Sequence, residues 1–163
     1  MKTTLGVSLG TRFMGMAVVY DGELSDFRVR TFYKAWTADK QSEMIGVIQK
    51  AIVRYGITKI VVKSPKPSHC SQNIQALMHD IRQLSEQSGI TLSSCTITSL
   101  KQRYMSNDRG NKQALVQAIV KKYPHHKQLA ALSAKKHIHR TLNYVKMFEA
   151  IACAEIGLEE TGL

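Results

Sequence analysis

The residues best suited to chemistry in this sequence are cations, and most of the excess positive charge lies in the C-terminal half. Between Lys101 and Lys146 there are eleven lysines and arginines and one acidic residue, Asp108, and the whole chain carries a formal net charge of +11. A long basic tract favours a polyanionic partner, because neutralising phosphates releases condensed counterions. The composition therefore indicates nucleic-acid binding, with a merely solubilising basic surface as the alternative.

A smaller set of these cations is placed to contact phosphate directly. Arginine forks onto phosphate oxygens, and a helix N-terminus adds backbone donors. The candidates are one cation in the first predicted turn and four around a polar loop at 106–111: Arg12, Lys101, Arg103, Arg109 and Lys112. Tyr104 could stack on an exposed base, although a core or surface role is the favoured interpretation.

Histidines offer a second chemistry in the same basic segment. His125 and His126 follow Pro124, and His137 and His139 precede the last predicted helix. A histidine-assisted hydrolytic site is one interpretation. We favour phosphate contacts or no function, and the role of these four histidines stays open.

Composition excludes several other classes of protein. The three cysteines, Cys70, Cys95 and Cys153, are widely spaced with no Cys-x-x-Cys pair, which favours reduced thiols over a disulfide framework or zinc ribbon. No apolar run approaches the roughly 20 residues that span a bilayer, and no signal peptide precedes the first strand. We expect a cytoplasmic protein with one domain over residues 1–163, without a membrane partner.

The elements that must position the cations follow from periodicity and turn signals. Leu5 to Tyr20 predicts a hairpin with a glycine-bearing turn, and Glu23 to Phe32 predicts a third strand. Alternating helices and strands follow, and the basic segment 125–140 precedes the last helix. The predicted strands are 57–62 and 90–97, and the predicted helices begin near 37, 71, 98, 112 and 141 and end near 55, 88, 104, 123 and 156.

Four motifs in this order resemble the RuvC-like and YqgF-like nucleases of the ribonuclease H superfamily. They are Gly6-x-x-x-Gly10-Thr11-Arg12-x-x-Gly15, the strand end Val62-Lys63-Ser64-Pro65, the segment 107–116, and Lys146-Met147-Phe148-Glu149-Ala150-Ile151-Ala152. The resemblance covers nearly the whole chain. It implies an α/β protein of ribonuclease H-like fold, with a mixed five-stranded sheet and helices on both faces.

The resemblance also locates a site that has lost most of its acids. The family's metal-binding acids fall on Ser8, Lys63, Lys146 and Glu149, and only the last is still acidic. Two-metal phosphodiester cleavage needs several carboxylates around hard cations. We therefore expect no metal and no cofactor. The hypothesis is that the ammonium groups of Lys63 and Lys146 occupy the space of the metals, are balanced by Glu149, and could contact a nucleic-acid phosphate without generating a nucleophile. The alternative is that both lysines point to solvent at the sheet edge.

The resulting expectation is a nucleic-acid-binding protein without metal-dependent nuclease activity. Its partner would be DNA or RNA, structured rather than plain duplex, and RuvC-like proteins pair, which suggests a homodimer. One alternative is a divergent Holliday-junction-resolvase-like or RNA-processing endonuclease that uses Mg²⁺ or Mn²⁺ at Glu149 together with Asp108 or a histidine. Another is a structural or protein-interaction module with a basic face.

Overall fold

The structure is a computed structural model that describes residues 2–104, 112–133 and 138–160. Three strands come first, and helices and strands then alternate before a helical C-terminal part. The strands are β1 (Thr3–Ser8), β2 (Phe13–Tyr20), β3 (Glu23–Thr31), β4 (Lys59–Lys63) and β5 (Thr91–Cys95). The helices are α1 (Ala38–Tyr55), α2 (Gln72–Ser88), α3 (Ile97–Tyr104), α4 (Lys112–Lys122), α5 (Lys127–Ser133) and α6 (Ile138–Glu160).

The strands form one mixed sheet in the order β3-β2-β1-β4-β5. β1 pairs with β2, and β2 with β3, in antiparallel fashion, whereas β1 with β4 and β4 with β5 are parallel. Because parallel strands end at the same edge, Ser8, Lys63 and Cys95 are brought to one edge of the sheet, which we call the site edge. The mixed five-stranded sheet predicted from the sequence is confirmed.

Helices cover both faces of the sheet, as predicted, because successive strand residues point to opposite sides. Leu5 and Val7 of β1 belong to the core beneath α1 and α2, and Val61 of β4 belongs to the core beneath α6. Helix α1 begins where the Thr37 side chain accepts a hydrogen bond from the Lys40 N–H at 3.1 Å. It ends at Gly56, which has a φ of 61°.

Two glycines let α6 touch the backbone of the sheet. A Cβ added to Gly6 in β1 would lie 1.9 Å from the Ala150 carbonyl oxygen, and one added to Gly15 in β2 would lie 2.1 Å from the Lys146 carbonyl oxygen. Either atom would push the helix away, so close approach is the reason for glycine at both positions. The contact fixes the height and rotation of α6 above β1 and β2.

The structure corrects the bounds of three predicted elements and adds one helix. The fourth strand is Lys59–Lys63 rather than 57–62. The fifth strand is shorter than 90–97, because Thr96 leaves the sheet and its Oγ1 accepts a hydrogen bond from the Ser99 N–H at 3.1 Å, which starts α3. Helix α5 was not predicted, because its charged surroundings obscured Leu129, which is fully buried. The last helix begins at Ile138, earlier than the predicted 141, and continues to Glu160.

Within the described ranges, no helix is long and apolar enough to cross a membrane.

Candidate functional site

The candidate site is built around Glu149, a carboxylate that α6 holds against the sheet. The glycine contacts place this part of α6 directly over β1 and β2, and the Glu149 side chain is only 2% exposed. Ser8 and Lys63 are the last residues of two neighbouring parallel strands, β1 and β4. The fold therefore delivers one helix residue and two strand ends to a common point on the site edge.

Two of the predicted residues contact the Glu149 carboxylate. The Lys63 ammonium group forms an ion pair with Oε2, and the Ser8 hydroxyl lies 3.5 Å from Oε1, at the outer limit of a hydrogen bond. The Lys63 side chain is 18% exposed, so its charge is directed inward rather than into solvent. The alternative in which this lysine points to solvent is therefore wrong.

Lys146 takes a different direction. Its Nζ donates a hydrogen bond to the Leu9 carbonyl oxygen at 2.9 Å, in the turn between β1 and β2. A Cβ added to Gly10 would lie 2.7 Å from the Phe13 carbonyl oxygen and 3.0 Å from the same nitrogen, so glycine allows both the tight turn and the approach of the lysine. Lys146 thus adds positive charge to the turn beside the Glu149 cluster. We call Ser8, Lys63, Lys146 and Glu149 together the Glu149 site.

The donors in the Glu149 site do not fit a pair of divalent metal ions. Hard cations such as Mg²⁺ require several oxygen ligands, and here the single carboxylate is already engaged by an ammonium group. A lysine about 4 Å from a divalent ion would repel it by several kcal/mol even at an effective dielectric constant of about 20. Among the described residues, no group of three or more histidines, cysteines and acids could hold a metal ion.

The predicted phosphate contacts fall in two places around the site edge. Arg12 is exposed in the turn between β1 and β2, the turn that also receives Lys146. Lys101 and Arg103 lie on α3, which continues from the carboxyl end of β5. Arg109 lies outside the described residues, as does Asp108, and Lys112 opens α4 with a side chain that is not described.

A second buried carboxylate, Glu155, was missed from the sequence. It is 3% exposed on α6, and its oxygens accept hydrogen bonds from the hydroxyl groups of Tyr104 and Tyr123. The Lys122 ammonium group lies 3.1 Å from Oε1. We call these four residues the Glu155 cluster. An acid within the apolar repeat of α6 was the signal that could have found it.

The Glu155 cluster explains both tyrosines. Burial raises the pKa of Tyr104 and of Tyr123 well above the usual value, and the charge and hydrogen bonding of Glu155 raise the pKa of both further. Both hydroxyl groups therefore stay protonated and act as donors. The half-buried Tyr104 is a structural residue that ties α3 to α6, as the favoured interpretation of the sequence held.

The described histidines of the basic segment make aromatic contacts. His126 packs edge-on against Phe27 of β3 at 5.6 Å between ring centroids, and His125 lies 4.4 Å from His126. Both also contact the Tyr123 ring. His137 lies outside the described residues, and the side chain of His139 is not described. The contacts of the first two are those of a packed loop between α4 and α5.

Comparison of the architecture defines the fold as ribonuclease H-like. No protein-family profile and no curated protein matches the sequence. Solved structures do match: RuvC from Thermus thermophilus aligns with a TM-score of 0.67 at 12% identity, covering 95% of this chain and 96% of RuvC. The Fowlpox virus resolvase, solved with Holliday junction DNA, aligns with a TM-score of 0.65 at 12% identity over 97% of both chains.

A mitochondrial relative of these enzymes is more distant. The Holliday junction resolvase of yeast mitochondria aligns with a TM-score of 0.57 at 11% identity, over 93% of this chain and 76% of its own. At such identities the likeness is one of fold. The mixed sheet with helices on both faces is the fold of these resolvases.

Proposed function

We propose that this chain binds structured nucleic acid at the site edge and does not cleave it by a metal-dependent mechanism. The observation that carries the proposal is the ion pair of Lys63 with the buried Glu149, at positions where the resemblance places metal-binding acids. The ion pair engages the Glu149 carboxylate, which a metal ion would need as a ligand. Lys146 adds positive charge at the site edge, beside the ion pair of Lys63 with Glu149.

Charge supports a polyanionic partner over a neutral protein surface, and the fold of the matching structures favours nucleic acid as that polyanion. The formal net charge is +11, and Arg12, Lys101 and Arg103 stand around the site edge. Structures with this fold include one solved with Holliday junction DNA. We therefore favour branched DNA as the first ligand to test, with structured RNA as the second, and a homodimer as the binding unit.

Binding should be measured by fluorescence polarisation with a labelled four-way junction over a salt series. We expect log K to fall linearly with log salt concentration, with a slope of about 0.9 per phosphate contacted. Lys101→Ala and Arg103→Ala should each lower the slope by about one. The matched control is Lys50→Ala, because Lys50 is exposed on α1, on the opposite face of the sheet.

The competing nuclease hypothesis needs its own test. The wild-type protein should leave a labelled junction intact in Mg²⁺ or Mn²⁺, and a Mn²⁺ titration should show no micromolar binding. Cleavage that disappears in Glu149→Gln would overturn the proposal in favour of a divergent endonuclease. Retention of neither DNA nor RNA at low salt would favour the protein-interaction module instead.

A further inference from the structure

Tyr33 is the most exposed of the large hydrophobic side chains in the described part of the chain. Its side chain is 80% exposed, whereas Tyr20, at the end of β2 that lies away from the site edge, is 39% exposed. Tyr33 lies two residues beyond Thr31, the last residue of β3, which pairs with Phe13 at the start of β2, and so it lies at the site edge. An aromatic ring left open beside a basic surface is a common feature of nucleic-acid-binding proteins.

The backbone that carries Tyr33 is fixed on both sides. Phe32 is buried, and its N–H donates a hydrogen bond to the Arg12 carbonyl oxygen at 2.8 Å. On the other side, the buried Lys40 directs its Nζ to the Lys34 carbonyl oxygen at 2.6 Å. The ring is therefore presented outward by a supported segment, which lowers the entropy lost when a ligand binds.

Arg12 completes a cationic surface around the ring. Its guanidinium carbon lies 6.0 Å from the Tyr33 ring centroid and 5.6 Å from the Phe13 ring centroid, within the range of cation–π attraction. The planar guanidinium group can fork onto a phosphate. Arg30 and Lys34 are also exposed in this region.

The Arg12–Tyr33 pair is continuous with the Glu149 site. Arg12 shares the turn between β1 and β2 with Leu9, the residue whose carbonyl oxygen accepts the Lys146 hydrogen bond. In the sheet order, β3 lies two strands from β1, which corresponds to about 10 Å at about 4.8 Å per strand. A nucleic-acid strand that passes the Glu149 site can therefore reach Tyr33 within a few nucleotides.

We propose that the Arg12–Tyr33 pair is a stacking platform for one unpaired base, with Arg12 holding the adjoining phosphate. The occupant is an unpaired nucleotide because the bases of an intact duplex are stacked on one another and expose no free face to the ring. This inference rests on the proposed function and makes it more specific. It assigns the ligand as nucleic acid with at least one unpaired base beside the site edge.

The experiment compares a thymidine oligomer and a junction carrying one looped-out base with a fully paired duplex. Tyr33→Ala should weaken binding of both unpaired ligands by about tenfold, and Tyr33→Phe should retain it, because stacking needs the ring and not the hydroxyl. Duplex affinity and the salt slope should be unchanged by Tyr33→Ala. Arg12→Ala should lower the salt slope by about one. Tyr20→Ala is the matched control.

Each other result would overturn the platform in a recognisable way. If Tyr33→Ala binds the unpaired ligands as tightly as wild type, while salt-dependent duplex binding persists, the platform is wrong and the proposed function stands. Equal losses on duplex and unpaired ligands, or equal losses in Tyr33→Ala and Tyr33→Phe, would exclude stacking. Absence of all nucleic-acid binding in the wild type would overturn the proposed function and the platform together. Circular dichroism melts establish that each variant is folded.

Discussion

Two buried carboxylates on α6, Glu149 and Glu155, provide an internal comparison. They are 2% and 3% exposed, and six helical residues at about 1.5 Å each separate them by about 9 Å. Glu149 is neutralised by the ammonium group of Lys63, with a long contact from Ser8. Glu155 is held by two phenol hydroxyl groups and a lysine. On the same helix, the free-energy cost of burying a charge is thus offset by two different sets of partners.

The difference in partners indicates that Glu149 belongs to the candidate site and that Glu155 is a structural contact between helices. The partners of Glu155 come from α3 and α4, so this carboxylate joins three helices on one face of the sheet. The partners of Glu149 come from the ends of β1 and β4, so its charge lies at the site edge. Glu155 is engaged by two neutral donors and a lysine, which suits a structural role, whereas Glu149 is matched by a single lysine at the site edge.

The largest expected effect comes from Lys63→Ala. It leaves the Glu149 charge buried without its counter-ion, and we expect unfolding free energy to fall by about 3 kcal/mol, the lower end for breaking a buried pair. Glu149→Gln should cost clearly less, because the partly exposed Lys63 can turn to water. Urea unfolding of the two variants measures the asymmetry. Equal costs would mean that Glu149 is not dependent on Lys63.

A smaller loss is expected in the Glu155 cluster. Tyr123→Phe removes one charge-assisted hydrogen bond from a buried carboxylate, which typically contributes about 2 kcal/mol. Tyr104→Phe should cost less, because Tyr104 is only half-buried. The same urea experiment applies, with Tyr33→Phe as the control because the Tyr33 side chain is 80% exposed. If Tyr123→Phe lowered the free energy of unfolding by more than Lys63→Ala, the contacts of Glu155 would contribute more to stability than the ion pair of Glu149, which would reverse the predicted order.

Alkaline pH should weaken the Glu155 cluster selectively. The pKa of both tyrosines is raised in the folded protein, so the folded state holds these protons more tightly than the unfolded state does. Their contribution is present below the unfolded pKa of about 10 and is lost as the pH rises above it, by at most about 1.4 kcal/mol per pH unit for each tyrosine. Thermal melts at pH 8 to 11 should show a shallower decline in Tyr123→Phe than in wild type.

The alkylation rate of Cys153 reports whether α6 opens locally between Glu149 and Glu155. The pKa of Cys153 is raised by its hydrogen bond with Cys95 and by burial, so its thiol should alkylate slowly. Cys70 is half-buried and lines an open cavity of about 550 Å³, so it should react first with iodoacetamide. Mass spectrometry of labelled peptides gives the order. Labelling of Cys153 before Cys70 in the folded protein would show that α6 opens locally near the acids.

Sequence patterns were sufficient for the parts that depend on local chemistry. Glycines after α1 and α2 and a capping residue near position 37 set helix boundaries that the structure confirms, and a glycine-bearing turn between two apolar stretches predicted the hairpin. The meeting of Lys63 with Glu149 was suggested by motif order, because both positions align with one site. The structure shows which lysine reaches the carboxylate, since that depends on side-chain direction.

The features that the sequence did not predict depend on contacts between segments that are distant in the chain. Glu155 is paired with residues 32 and 51 positions away, and no local spacing encodes that meeting. Helix α5 was hidden because charged and histidine residues outnumber the one fully buried Leu129. Tyr33 gave no signal of its own, since its exposure results from the anchoring of Phe32 and Lys34 on either side.

The backbone contacts at Gly6 and Gly15 have a consequence for protein engineering. Because α6 is seated on the main chain of β1 and β2, the backbone at positions 8 and 146 is set by main-chain contacts rather than by the side chains at those positions. Side chains can therefore be exchanged at these two positions without re-routing the chain, provided that Lys63 still neutralises Glu149. The protein thus offers a rigid main-chain frame on which new side chains can be introduced one position at a time.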